Sequence, residues 1–272
     1  MDITKVSEDL ADKFANNPLN FVTEEDIRVK FIELLKEELE EKKTSVNRDE
    51  FYESIDEDGK EKYEFGNSNK YKQTYWKMIR DNGGKINRIH TEVSLEEGKR
   101  IDVVIFQKDG EVDVEWVQQG SKRYSENDID AAIELKFVKN KRHFPTKTSI
   151  SDNKDMTKEE IKEQLNLEEN SLYKGENSKD SDGNNSKGDI DELDGLPDDV
   201  DKYLLIFSNN NYMYQGKEPE GEEEYNGNLQ VHKKVGEAAR EKISNLRGDE
   251  VSILYVHPNS QNIEEDYWLN KA

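Results

Sequence analysis

Apolar positions near the start of the chain recur with a helical period. Ile3, Val6, Leu10 and Phe14 fall three or four residues apart, which predicts a short helix over 2–15. Thr23-Glu24-Glu25-Asp26 then supplies an N-cap and an acidic first turn, and Ile27, Phe31, Leu34, Leu35 and Leu39 share one face. Together they predict a longer helix over 23–42. Residues 44–69 lose the period, are polar with Gly and Asn, and read as loop. Residues 71–80 suit a third helix, which Asn82-Gly83-Gly84 ends.

From residue 86 the pattern becomes that of strands. Ile86, Ile89, Thr91, Val93 and Leu95 lead into Glu96-Glu97-Gly98, and Arg100-Ile101-Asp102-Val103-Val104-Ile105-Phe106 follows. Two β-rich runs around a short loop ending in Gly predict a hairpin. Residues 112–117 alternate apolar and acidic side chains like an edge strand, and residues 131–138 form a mostly apolar strand interrupted by two charges. A helix over 155–168 follows from Met156, Ile161, Leu165 and Leu167. Residues 168–195 are rich in Asn, Ser, Asp, Gly and Lys and read as a mobile acidic insert, because periodic structure resumes at 203–207. An acidic loop over 215–228, a helix over 232–246 and a strand over 251–256 complete the chain. This order predicts an α/β protein, a mixed central sheet flanked by helices, in one domain spanning 1–272 with its leading helices in 1–85.

Composition complicates that picture. Acidic residues number 62 against 40 basic ones, a formal charge of −22, and hydrophobic residues are only 32% of the chain. The mean hydropathy of −1.09 lies near the border where burial no longer offsets ordering entropy. No apolar run approaches the ~20 residues that span a bilayer, and the N-terminus opens on acids rather than on a secretory signal. With no cysteine, disulfides, thiolate zinc sites and thiol nucleophiles are excluded. The expectation is a soluble, cytoplasmic protein with no membrane partner.

So acidic a chain ordinarily repels nucleic acid. A halophilic host, where salt screens the surface, is one origin for it, and an acidic DNA mimic that inhibits a DNA-binding protein is a second. The third is segregation of charge. Residues 70–90 hold Lys70, Lys72, Lys77, Arg80, Lys85 and Arg88 against Asp81 alone. Residues 136–147 hold Lys136, Lys139, Lys141, Arg142, His143 and Lys147 with no acid, whereas 151–200 are strongly acidic. Two basic patches therefore flank the middle of the chain.

The candidate chemistry lies between those patches. Acid-x-Lys is common in this composition, but only Glu134-Leu135-Lys136 sits inside an apolar strand. Alternation puts Glu134 and Lys136 on one face and Ile133, Leu135 and Phe137 on the other. Charges on a buried strand must be paired or bound to an ion; the bland alternatives are a structural ion pair or a half-exposed edge. Asp102 repeats the oddity within an apolar run, and so does Glu92. A three-residue hairpin loop pairs Leu95 with Lys99 and puts Glu92 directly opposite Asp102. Carboxylates that close need a cation, and hard oxygen donors suit Mg²⁺ or Mn²⁺.

Asp102 after a hairpin, with Gly98-Lys99-Arg100-Ile101-Asp102-Val103-Val104-Ile105 ahead of Ile133-Glu134-Leu135-Lys136-Phe137, resembles the PD-(D/E)XK, or restriction-endonuclease-like, nuclease superfamily. The resemblance covers about 86–138, and Ile101 stands where the motif has proline. It implies a restriction-endonuclease-like core and a DNA endonuclease of restriction, defence or mobile-element type. Asp102 and Glu134 would be metal ligands and Lys136 would assist the attacking water. Glu92 is the first choice for an additional catalytic and metal-binding acid, and Glu24 the second. Lys85, Arg88, Lys139, Lys141 and Arg142 are the expected phosphate contacts, and a homodimer is one expected assembly. A catalytically silent nucleic-acid-binding module on the same fold is the competing reading. His90, His143, His232 and His257 show no metal-ligand spacing, and Asp180-Ser181-Asp182-Gly183 lacks the glycine position of a calcium loop.

Overall fold

A computed structural model describes residues 1–46, 84–95, 99–116, 122–138, 157, 160, 189–209, 238, 240–241, 250–258 and 267–270. The chain is α/β, with mixed sheets flanked by few helices. It divides into two compact units: unit 1 comprises Met1–Leu35, Glu134–Gly195 and Lys202–Ala272, and unit 2 comprises Lys36–Ile133 and Leu196–Asp201.

Unit 1 opens with α1 (Ile3–Asn16), whose first turn is capped by the Asp2 carboxylate accepting from the Lys5 N–H at 3.0 Å. Its buried face carries the four periodic residues Ile3, Val6, Leu10 and Phe14. α2 (Glu24–Glu38) begins with a reciprocal cap: the Thr23 hydroxyl accepts from the Asp26 N–H at 3.2 Å, and the Asp26 carboxylate accepts from the Thr23 N–H at 2.8 Å. Phe14 is the hinge of the core. Its ring lies 5.4 Å from Phe21, 6.1 Å from Phe137 and 5.2 Å from Phe207.

The longest strand, β8 (Ile129–Val138), is divided between the units after Ile133. In unit 1 its sheet neighbour is β9 (Asp201–Ser208), and β9 runs parallel to β10 (Ser252–Val256), Tyr203 pairing with Ser252 and Phe207 with Val256. Both strands are buried almost throughout, which is why they read as continuous apolar runs without alternation. β11 (Trp268–Asn270) closes this side antiparallel to β10. There the Trp268 indole donates to Glu8 at 2.8 Å and the Tyr267 hydroxyl to Asp12 at 2.7 Å, fastening the last strand to α1. A short helix, α3 (Asp189–Asp194), buries Ile190 and Leu193. The end of the segment expected as a mobile insert is therefore helical, because this apolar pair at i, i+3 has a core to reach.

Unit 2 contains the expected hairpin, β3 (Ile89–Ser94) and β4 (Arg100–Phe106), with Ile89 paired to Ile105, Thr91 to Val103, Val93 to Ile101 and Ser94 to Arg100. β4 pairs antiparallel with the first half of β8. Part of the expected loop is a strand: β1 (Lys43–Val46) lies between β2 (Lys85–Asn87) and β5 (Glu111–Val112). Gly84, at φ 68, turns the chain into β2 in a conformation that glycine adopts without steric cost. The edge strand expected over 112–117 is two strands in different sheets, since β6 (Val114–Trp116) pairs with β7 (Lys122–Tyr124). The break falls at Asp113, whose N–H is taken by the Asp128 carboxylate at 2.7 Å. The helix expected over 71–80 lies outside the described residues, as does the loop over 215–228. Of the helices expected over 155–168 and 232–246, only Thr157, Glu160, Ala238, Arg240 and Glu241 are described. No described helix is long and apolar enough to cross a membrane.

Candidate active site

In unit 1, β8 carries Glu134 and Lys136 on one face by strand alternation. Glu134 is only 5% exposed. Lys136 makes an ion pair with Asp189 of α3, its ammonium 3.2 Å from one carboxylate oxygen and 3.0 Å from the other. The side chains are 23% and 17% exposed, so water screens the pair weakly. Burial by itself would lower the Lys136 pKa, but Asp189 first, then Glu24 and Glu134, outweigh it and hold the ammonium above the usual lysine value. At neutral pH Lys136 is a cation.

Glu24 reaches the same strand. Three successive acids open α2 and do three different things. Glu25 accepts from Arg28 at 2.9 Å, Asp26 completes the cap, and the Glu24 carboxylate accepts from the Phe137 N–H at 3.0 Å. Of the two additional acids expected, Glu24 is the one that touches β8, at the residue next to Lys136.

In unit 2 the hairpin register holds on both sides of Glu92, so this residue falls across from Asp102. Glu92 has φ 53, however, a left-handed backbone that costs a non-glycine residue about 1–2 kcal/mol, and its carboxylate forms an ion pair with Arg100. Asp102 is half-buried within β4. The last Cα pair of β4 with β8 in this unit is Val103 with Ile133, which directly follow Asp102 and directly precede Glu134 in sequence.

The expected phosphate contacts fare differently. Lys85 is exposed on β2. Arg88 is buried: its Nε donates to the Phe106 carbonyl at 2.7 Å and its guanidinium pairs with Asp130, so it serves the interior of unit 2 and is not offered to phosphate. Lys139, Lys141 and Arg142 lie outside the described residues. Lys99 is likewise internal, donating to both Glu126 oxygens at 2.9 Å.

Asp189 is the partner of Lys136 that sequence reasoning missed. Its signal is faint: Asp189-Ile190 and Leu193 set an acid and an i, i+3 apolar pair at the end of a low-complexity stretch. Among the described residues, no group of three or more His, Asp or Glu is placed to hold a metal ion. The donor chemistry still suits Mg²⁺, which takes one or two carboxylates and keeps several waters.

His90 has a packing role, its ring 5.4 Å from that of Phe106 and 5.8 Å from that of Tyr124. Burial pushes its pKa below the usual histidine value, against a backbone hydrogen bond at Asn87 and with help from Lys122. The unfolded chain therefore binds the proton first as pH falls. Stability is full above about pH 6.5 and declines as pH drops from there through the lower folded value. His90→Phe, which keeps a ring in place, is expected to flatten this decline; urea midpoints of both proteins at pH 7.5 and pH 5 measure it.

Comparison of the chain with family models, with curated proteins and with solved structures finds no match.

Proposed function

We propose that this protein is a metal-dependent nuclease of the PD-(D/E)XK type, hydrolysing phosphodiester bonds in nucleic acid, with DNA as the first substrate to test. The observation that carries this reading is a buried carboxylate, Glu134, two residues from a lysine cation on a strand whose other face is core. Burying a charge is costly unless it is paired, hydrogen-bonded or bound to an ion. Asp102 and Glu134 are the carboxylates we assign to Mg²⁺ or Mn²⁺, with Glu24 or Glu92 as the additional acid. When bound, such an ion lowers the pKa of water and neutralises charge on phosphate oxygens.

The chain's own residues divide the remaining work. Asp189, Glu24 and Glu134 set negative charge around Lys136, which suits a lysine that works as a cation. Its role is that of a fixed donor, orienting the nucleophile and stabilising the added charge on the phosphate. Glu24 ties the start of α2 to the Phe137 backbone and so fixes the edge of the site. Lys85, Lys139, Lys141 and Arg142 are the basic residues proposed to contact the phosphate backbone.

The test is a panel of supercoiled, linear, branched and single-stranded DNA, and RNA, across a wide salt range. Cleavage is expected with Mg²⁺ or Mn²⁺ and none with EDTA, and Asp102→Ala is expected to abolish it without unfolding the chain. Cleavage that survives in both Asp102→Ala and Glu134→Ala sinks the assignment.

A further inference from the structure

The nuclease reading leaves one contact unexplained. Asp189 lies 53 residues beyond Lys136 in sequence, yet both of its carboxylate oxygens reach the lysine ammonium. A lysine side chain is a flexible four-carbon stem that does not hold a reacting position by itself. The adjacent strand residues Leu135 and Phe137 cannot hold it either, because alternation turns them to the other face. Asp189 is well suited to the task. It opens α3, whose Ile190 and Leu193 are buried, so the carboxylate is presented from a packed element. One carboxylate oxygen accepts a hydrogen bond from the ammonium at 3.2 Å and the other lies 3.0 Å from it, so the cation is held against the carboxylate.

We infer that Asp189 is a positioning residue: it fixes the Lys136 ammonium over the reacting phosphate and does not itself touch substrate. This rests on the nuclease reading and adds a residue to it. Positioning makes a specific demand on kinetics. An interaction that matters only as charge develops lowers kcat and leaves substrate binding alone, and a misplaced catalytic group costs on the order of 10²-fold.

The experiment uses the full chain with Mg²⁺ and the best substrate of the panel. Asp189→Asn is expected to lower kcat roughly 10- to 100-fold with KM changed less than about twofold, and Asp189→Glu is expected to recover most of the loss. In a Lys136→Ala background, Asp189→Asn is expected to have no further effect, because the two residues act as a unit. A second readout is independent of turnover. Amine acylation mapped by peptide mass spectrometry is expected to modify Lys136 faster in Asp189→Asn than in wild type. Thermal melts confirm that each variant is folded. Unchanged or raised kcat in Asp189→Asn, a loss that persists in the Lys136→Ala background, or an unchanged acylation rate overturns the inference while the nuclease reading stands. Wild-type protein that cleaves nothing overturns both.

Discussion

Glu134→Gln is expected to lose divalent-dependent cleavage by roughly 10²- to 10³-fold, the scale of removing one main electrostatic contributor. The substitution keeps the shape of the side chain and removes only its charge. The stability result distinguishes a working carboxylate from a structural one. Glu134 is 5% exposed, and a buried carboxylate is costly to desolvate. A neutral amide of the same size relieves that cost, so the urea midpoint is expected to equal or exceed that of wild type. Lys136 keeps its ion pair with Asp189 in this variant, which prevents the loss of one charge from stranding another. Single-turnover cleavage and urea denaturation, measured on the same preparation, give both numbers. A variant that cleaves at the wild-type rate removes Glu134 from the chemistry. A variant that is inactive because it is unfolded reassigns Glu134 to the scaffold.

The second large effect concerns a residue expected to bind phosphate. Arg88→Ala is expected to destabilise the protein by about 2–4 kcal/mol. Arg88 is 6% exposed and its Nε satisfies the Phe106 carbonyl; leaving that buried acceptor without its donor costs about 1–3 kcal/mol. Loss of the packed stem adds to this. Asp130, at 44% exposure, keeps access to water, so it does not become a stranded buried charge and adds little. Arg88→Lys is expected to rescue only part, since a single ammonium cannot reproduce the fork of contacts. Chemical denaturation checks the size of the effect, and nucleic-acid affinity under native conditions checks its kind. A phosphate ligand would lower affinity and reduce the salt slope by about one without changing stability. That outcome for Arg88, in place of destabilisation, overturns its internal role.

These two residues mark how far the sequence is legible. Glu134 is conspicuous because a charge interrupts an apolar run, and period-two alternation gives its face. The hairpin is legible for the same reason: a three-residue loop fixes its register, and the observed pairs of β3 with β4 follow it on both sides of Glu92. The four apolar positions of α1 likewise point inward as their spacing requires. Arg88 shows where such reasoning stops. A basic residue in a basic stretch has the same one-dimensional signature whether its guanidinium meets solvent or a buried carbonyl. Strands of two to four residues, such as β1, β2, β5 and β11, are too short to display a period, and their partners decide them. The contact between Asp189 and Lys136 is hidden for a third reason: it joins positions 53 residues apart, and local pattern carries no information about such pairs.

The fastening of β11 onto α1 bears on the order in which the chain assembles. The two hydrogen bonds there, Tyr267 to Asp12 and Trp268 to Glu8, close sequence separations of 255 and 260 residues. Contacts of such span are the slowest to form, since the intervening chain must be ordered or looped out first. During synthesis, most of unit 2 is available once residue 133 has emerged, whereas unit 1 must wait for residues beyond 260 before its first helix can meet its last strand. Until then Leu10 and Phe14 of α1 and the apolar strands β9 and β10 belong to an incomplete core.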